Sequence, residues 1–304
     1  MVEVDEADRR CGFAALIGAP NVGKSTLINA LVGSKVSIVT PKVQTTRTTI
    51  RGIAIAGAAQ LIFVDTPGIF APRRRLDRAM VGTAWGSTAD ADLVALVLDA
   101  RKGVLDDDQA ILSALADVRP TKALVLNKVD LVAKPALLAL AQKVNEQASF
   151  AATFMISAQS GDGVEDLKRW LAVHVPAGPW LYPEDQISDA PLRQLAAEIT
   201  REKLYLRLHQ ELPYQSTVET ELWKELKGGA VRIEQTIYVA RESQRKIVLG
   251  KGGQAIKSIG AAARADIAEA IGQPVHLFLH VKVRENWADD PERYRQMGLE
   301  FPKE

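Results

Sequence analysis

The sequence predicts two domains: an α/β domain with a mainly parallel sheet covered by helices on both faces, then a smaller α+β domain. Three observations predict this. From residue 13 to about residue 173, apolar runs alternate with helix-patterned segments, as parallel strands joined by crossover helices require. A stretch carrying Pro176, Gly178, Pro179 and Pro183 then interrupts the pattern. Beyond it the order becomes helix, strand, strand, helix, helix, strand, closing near residue 285. A chain of 304 residues is long enough for two cores.

Taken in order, residues 1–11 are polar and read as a flexible tail, and residues 12–175 form the first domain. Residues 13–17 are a buried strand. Gly18-Ala19-Pro20-Asn21-Val22-Gly23-Lys24-Ser25-Thr26 follows, with the spacing G-x-x-x-x-G-K-[ST]. Leu27, Ile28, Leu31 and Val32 then recur at helical spacing, with Gly33 as C-cap. Strand, glycine loop and helix are the context in which this spacing binds phosphate rather than marking a chance turn. Backbone N–H groups and the helix start face the anion, Lys24 reaches the outer phosphates, and the Ser25 hydroxyl meets Mg²⁺. Residues 34–49 read as a polar loop, and 50–56 and 60–64 as strands around Gly57. A basic irregular piece leads to a helix ending near Ser87. Strands at 93–98, 122–126 and 151–156 alternate with helices at 106–118, 135–147 and 164–173.

Residues 176–190 read as a linker and 191–285 as the second domain, with a terminal extension over 286–304. A helix covers 191–209, with Asp189 as candidate N-cap. Strands cover 215–222 and 231–240. A helix at 243–249, the loop Gly250-Lys251-Gly252-Gly253, a helix at 254–271 and a strand at 275–283 complete it.

Composition narrows the function. A 47% hydrophobic, 25% charged chain is ordinary for a water-soluble fold. The net charge is +1, so a nucleic-acid surface has to be a local patch. Cys11 is the single cysteine, which removes intrachain disulfides and cysteine-based zinc sites from consideration. His174, His209, His276 and His280 have no metal-ligand spacing. Trp85, Trp170, Trp180 and Trp223 read as packing residues. No apolar run is long enough to span a membrane, and the acidic start is neither a secretory nor a transit signal.

Polar tetrads follow the predicted strands, where ligands sit in open α/β sheets. Asn127-Lys128-Val129-Asp130 matches N-K-x-D. The Asp130 carboxylate accepts from both N1–H and the N2 amine of guanine. Adenine would leave it facing an acceptor. Lys128 lies along the base, and Asn127 braces the phosphate loop. Ser157-Ala158, after the next strand, matches a weaker element in which a backbone N–H meets guanine O6. In Asp65-Thr66-Pro67-Gly68, Asp65 supports Mg²⁺ through water and the Gly68 N–H meets the γ-phosphate. In Gln44-Thr45-Thr46-Arg47 one hydroxyl completes the Mg²⁺ shell; Thr46 is preferred, with Thr45 as the alternative. Lys24, Thr46 and Gly68 are therefore the expected catalytic groups. Ile69 stands where signalling GTPases carry a water-orienting glutamine, which predicts slow intrinsic turnover. Arg47, Arg73, Arg74 and Arg75 are candidates for charge stabilisation, with solvated surface residues as the plainer reading.

These elements resemble the translation-factor-related GTPases of the P-loop class, in the subgroup with a hydrophobic residue at the glutamine position. The resemblance implies GTP/GDP and Mg²⁺ as cofactors, and a role for Asn21 in binding K⁺. Residues 247–256 resemble the helix–G-x-x-G–helix core of a type II KH domain. Glycines there admit an RNA backbone, and an apolar groove takes the bases. Between Arg241 and Arg264 lie six basic residues and one acidic, a local net charge of +5. Arg245, Lys246, Gly250, Lys251, Gly252, Gly253 and Lys257 are the candidate RNA contacts.

A GTPase domain followed by a type II KH domain is similar to the Era family of bacterial GTPases, as is the stretch 182–189. The resemblance implies binding to 16S rRNA near its 3′ end on the precursor of the 30S ribosomal subunit. It also implies a cytoplasmic monomer with peripheral membrane contact and no obligate protein partner. Two other readings stand beside it. One is a related ribosome- or tRNA-directed GTPase, which the Gly250–Gly253 module disfavours. The other is an RNA-binding scaffold that binds nucleotide without turning it over.

Overall fold

The computed structural model describes residues 8–42, 45–46, 49–72, 74–208, 216–285, 291, 294 and 299–301. Gln44, Arg47, Arg73, His209, the first seven residues and most of 286–304 lie outside the described residues. The elements are β1 (Arg10–Ile17), α1 (Lys24–Val32), β2 (Ile50–Ala56), β3 (Ala59–Asp65), α2 (Arg75–Ala89), β4 (Leu93–Asp99), α3 (Asp106–Ala114), β5 (Thr121–Asn127), α4 (Lys134–Asn145), β6 (Ala152–Ile156) and α5 (Val164–His174), then α6 (Leu192–Arg207), β7 (Ser216–Glu225), β8 (Val231–Val239), α7 (Glu242–Leu249), α8 (Gln254–Ile271) and β9 (Val275–Val283).

The chain divides into two compact units, one of residues 1–37, 46–189 and 295–304, the other of 38–45 and 190–294. In the first, six strands run in the order β2-β3-β1-β4-β5-β6. Only the β2–β3 pair is antiparallel. Alternation of side chains along β1 fills two cores. Ala14 and Leu16 pack with Leu27 and Leu31 of α1 and Leu167 of α5. Ala15 and Ile17 pack on the other face with Ala84, Ile111 and Leu137 of α2, α3 and α4. A strand buried on both faces reads as a continuous apolar run, which is why β4 and β5 are legible at once.

β1 begins earlier than the apolar run suggests. Arg10 pairs with Ala59 and forms an isolated bridge to Ala177, so the polar start of the strand is set by neighbours that periodicity does not reveal. The stretch 176–189, expected as a linker, lies along the sheet. Trp180 Nε1–H donates to the Ala58 carbonyl at 3.0 Å. The Leu181 and Tyr182 amides donate to Gln60 Oε1 at 2.8 and 3.0 Å. The Ile53 amide donates to the Ile187 carbonyl at 2.9 Å. Asp189 does not cap α6: its carboxylate pairs with Arg51 at 3.2 Å, and Pro191 holds the N-cap position.

In the second unit β8 pairs antiparallel with β7 and parallel with β9. Leu195, Leu204, Ile233, Ile237, Ile259 and Ile267 are buried between that sheet and α6 and α8.

Candidate functional site

The carboxyl ends of β1, β3 and β5 bring the predicted tetrads together. Lys24, only 6% exposed, donates from Nζ to the Gly18 and Ala19 carbonyls at 3.0 Å each. It thereby lies under the loop that its own motif forms. Burial pushes its ammonium down to about 8, against the opposing pull of Asp65 and Asp108. Gly23 adopts φ +101°, and a Cβ there would meet Asn127 Nδ2 at 2.3 Å, so the loop closes on Asn127 only because this residue is glycine. α1 starts at once after it with no side-chain cap, which leaves first-turn N–H groups for an anion.

Three hydroxyls converge on one carboxylate oxygen. Ser25, Ser37 and Thr46 donate to Asp65 Oδ2 at 3.0, 2.5 and 3.2 Å, and the Ser25 and Thr46 hydroxyls lie 3.1 Å apart. Asp65 is fully buried, and its Oδ1 has no hydrogen-bond partner among the described residues. Burial raises the Asp65 pKa, and the three hydroxyls and Lys24 oppose that rise. A buried carboxylate oxygen without a donor, beside two hydroxyls, fits the all-oxygen shell of a hard divalent cation such as Mg²⁺. Thr45 is occupied elsewhere: its hydroxyl contacts Thr40 Oγ1 and the Lys42 carbonyl, each at 2.7 Å. Of the two threonines, Thr46 is the one beside Asp65.

Asn127 ties the base-reading segment to the phosphate loop. Its Nδ2–H donates to the Val22 carbonyl at 2.9 Å, and its Oδ1 accepts from the Lys128 and Ala158 amides at 2.8 and 3.0 Å. Within the Ser157-Ala158 element, expected to offer a backbone N–H to guanine O6, the Ala158 N–H is thus engaged by Asn127. Lys128, at φ +66°, reaches the Asn21 carbonyl and Asp99, both at 2.7 Å. Asp130 is exposed at the open end of this group. The side chain of Ile69 is buried in the core, and its amide donates to the Gly18 carbonyl at 3.1 Å. It docks the segment 65–69 against the phosphate loop and presents no polar group to a water. Arg75 stacks on the Phe301 ring at 5.0 Å, which explains its place without a catalytic role.

The second unit carries the other loop. Gly250 is required by packing, since a Cβ there would meet the Ala255 Cβ at 2.7 Å. Gly253, at φ +77°, has open space around that position and leads into α8, which has no side-chain cap. Lys246, Lys251, Gly252 and Lys257 are exposed around it. Arg245 is held in place instead, donating to the Val281 carbonyl at 3.3 Å and to Glu242 at 2.9 Å.

Comparison with known proteins agrees with both domains. Residues 13–128 match the family model described as a 50S ribosome-binding GTPase, and residues 211–288 match the KH domain model. GTPase Era of Afipia carboxidovorans is 68% identical over 100% of this chain and 99% of its own length. GTPase Era of Brucella suis is 65% identical over 99% and 96%. The chain is a member of the GTPase Era family. Two crystal structures superpose on it with a TM-score of 0.90. A variant of Aquifex aeolicus Era bound to GDP and AlF₄⁻ is 37% identical and covers 95% of this chain and 99% of that one. Era in complex with MgGDPNP and nucleotides 1506–1542 of 16S rRNA is 36% identical with the same coverage.

Sequence reasoning missed several residues of this Era-type site. Ser37 is held by Asn29, whose Oδ1 accepts the Val36 and Ser37 amides at 2.9 Å each. Asp99 ends β4 as Asp65 ends β3 and Asn127 ends β5, so the same signal was present. Val39, Lys42 and Thr45 belong to the second unit. There the Val39 amide donates to Glu202 Oε1 at 2.9 Å, Lys42 donates to the Tyr205 and Leu208 carbonyls, and Arg201 donates to the Thr45 carbonyl. Arg201 is 2% exposed, and although burial opposes its charge, the adjacent Glu198 carboxylate raises its pKa overall.

Proposed function

We propose that this Era-family chain is a GTP-hydrolysing, RNA-binding switch of small-subunit ribosome assembly. The observation that carries the enzymatic half is the convergence of Ser25 and Thr46 on Asp65, whose second oxygen is left for a cation. Mg²⁺, when bound, supplies neutralising charge to the outer phosphates of GTP. The chain's own residues do the rest. Lys24 and the α1 amides bind phosphate, Asp130 reads guanine, and Asn127 fixes the distance between the two. The Gly68 N–H serves the γ-phosphate, and the buried Ile69 leaves the attacking water without a glutamine partner, so intrinsic turnover is slow.

The RNA half rests on the Gly250–Gly253 loop, the basic segment around it and the relative crystallised with a 16S rRNA fragment. Nucleotide state reaches that half through residues 38–46. Thr46 belongs to the Asp65 cluster, while Thr45 beside it is held by Arg201 of α6. Ordering Thr46 around Mg²⁺ and γ-phosphate therefore pulls on a segment fastened to the RNA-binding unit. No helix among the described residues is long and apolar enough to cross a membrane. We place the protein in the cytoplasm as a monomer; the resemblance alone suggests contact with the inner membrane face.

The test is binding of a single-stranded RNA from the 3′ end of 16S rRNA with GTP analogue, with GDP and without nucleotide, across a salt series. Tighter binding with the analogue, and a salt slope of a few phosphate contacts, is expected. Equal binding in all three states would separate the two activities and remove the switch.

A further inference from the structure

Two carboxylate oxygens among the described residues are buried without a hydrogen-bond partner, Asp65 Oδ1 and Asp108 Oδ1. The first suits the cation discussed above. The second has no part in that chemistry. Asp108 is 3% exposed and sits in the first turn of α3. Its Oδ2 accepts the Leu105 amide at 3.0 Å, a capping contact that uses one of its two oxygens. Asp77 makes the same contact at the start of α2, through the Arg74 amide at 2.9 Å, and keeps no buried oxygen without a partner. Capping therefore accounts for half of the Asp108 carboxylate. A buried acceptor left unpaired destabilises the fold, and Asp106 and Asp107 beside it already give the helix start its negative charge.

The place of Asp108 in the fold points to a donor. β4 ends at Asp99, level with Asn127 at the carboxyl end of β5, so α3, which follows it, begins at the edge of the sheet that carries the phosphate loop. Asp108, Ile111 and Leu112 form the buried stripe of α3. Ile111 and Leu112 belong to the same core cluster as Ile69. Lys24 favours the Asp108 carboxylate by its charge, and Asp108 favours the Lys24 ammonium in return, against the burial of each. The carboxylate is therefore near the phosphate-loop lysine and near the core that anchors the segment leaving Gly68. In that segment the Ile69 amide is engaged by the Gly18 carbonyl, and Pro72 has no amide hydrogen. Phe70 and Ala71 remain, and neither amide donates to a described residue.

We infer that Asp108 is a positioning residue for GTP hydrolysis: with γ-phosphate bound, its Oδ1 accepts an amide of the Phe70–Ala71 stretch and so holds the Gly68 N–H on the phosphate. This rests on the reading above that the Gly68 N–H serves the γ-phosphate. Asp108→Asn keeps the shape and the capping acceptor but turns the second oxygen into a donor. Its kcat at saturating GTP should fall about ten- to hundredfold, with GDP affinity at wild type. Asp108→Glu, which restores an acceptor, should recover part of that rate. Hydrogen exchange across residues 69–72 should slow in the wild type when a GTP analogue replaces GDP, and should not slow in Asp108→Asn. Without nucleotide, Asp108→Asn should melt no lower than wild type, because it removes a buried charge that lacks a partner. An unchanged kcat would leave Asp108 a helix cap. GDP affinity lost in step with kcat would mean that it acts through Lys24 and the phosphate loop. A lower kcat with normal slowing of exchange would mean that it meets the attacking water itself. Each of these overturns the inference. If the wild-type protein exchanged alike across residues 66–72 with analogue and with GDP, the Gly68 contact itself would fall, and the inference with it.

Discussion

Two glycine loops in this chain solve the same problem in opposite ways. Each turns through a positive-φ glycine into a helix without a side-chain cap, α1 after Gly23 and α8 after Gly253. Around Gly23 the space is full: Asn127, Val22 and Lys24 lock the loop into one shape through buried hydrogen bonds. Around Gly253 the space is empty and the charges stand on exposed lysines. The first loop is preorganised for one small ligand and selects it by geometry. The second offers a backbone and a field, which suits a long, repeating polyanion. Substitutions should therefore fail differently at the two places.

The largest effect is expected at Lys24. Lys24→Ala removes the buried partner of the phosphates and should cost about 2–5 kcal/mol of nucleotide binding, with RNA affinity in the absence of nucleotide unchanged. Calorimetry with GDP showing wild-type affinity would sink the phosphate assignment. Next is Asp130→Asn, which exchanges a carboxylate for an amide at the base. It should lower the preference for guanine over xanthine nucleotides by about 1.5–3 kcal/mol, read by competition between GDP and XDP; an unaltered ratio counts against the base-recognition model.

Gly253→Asp places a carboxylate in open space beside the RNA backbone and should weaken RNA roughly tenfold or more, while GDP binding stays at wild type. Gly253→Asn has the same shape and tolerates the left-handed conformation, so it should keep most of the affinity. Similar losses in both variants would assign the defect to backbone strain. The smallest effect is on pH. Lys24 binds phosphate when charged, and burial holds its pKa at about 8. GDP affinity should therefore be insensitive to this group below pH 8 and decline above it, by at most about tenfold per pH unit. Lys24→Arg, charged throughout, should flatten that decline. RNA affinity, resting on exposed lysines, should not share it.

The same contrast explains what was legible in the sequence. The phosphate loop, Asp65–Gly68 and Asn127–Asp130 are short linear patterns at strand ends, so residue order alone places them. The Gly250–Gly253 turn and the strands and helices around it are legible for that reason too. Ser37, Asn29, Asp99 and the hold of Arg201 on Thr45 are not, because each depends on partners far apart in the chain. Thr46 was already preferred over Thr45 on sequence, and what only coordinates add is their neighbours: Asp65 for Thr46, Thr40 and Lys42 for Thr45.

The stretch 176–189 bears on how this protein can be taken apart. β2 is the last strand on its side of the sheet, and the chain covers it through Ile187 and the Gly52–Ser188 bridge. Gln60, fully buried, satisfies its amide on Leu181 and Tyr182. A GTPase fragment ended at residue 175 would uncover a strand edge that another chain can extend and strand a buried amide at a cost of about 1–3 kcal/mol. Ended at residue 189, the fragment keeps both. A fragment of residues 1–189 should therefore elute as a single species in size-exclusion chromatography where one of residues 1–175 aggregates.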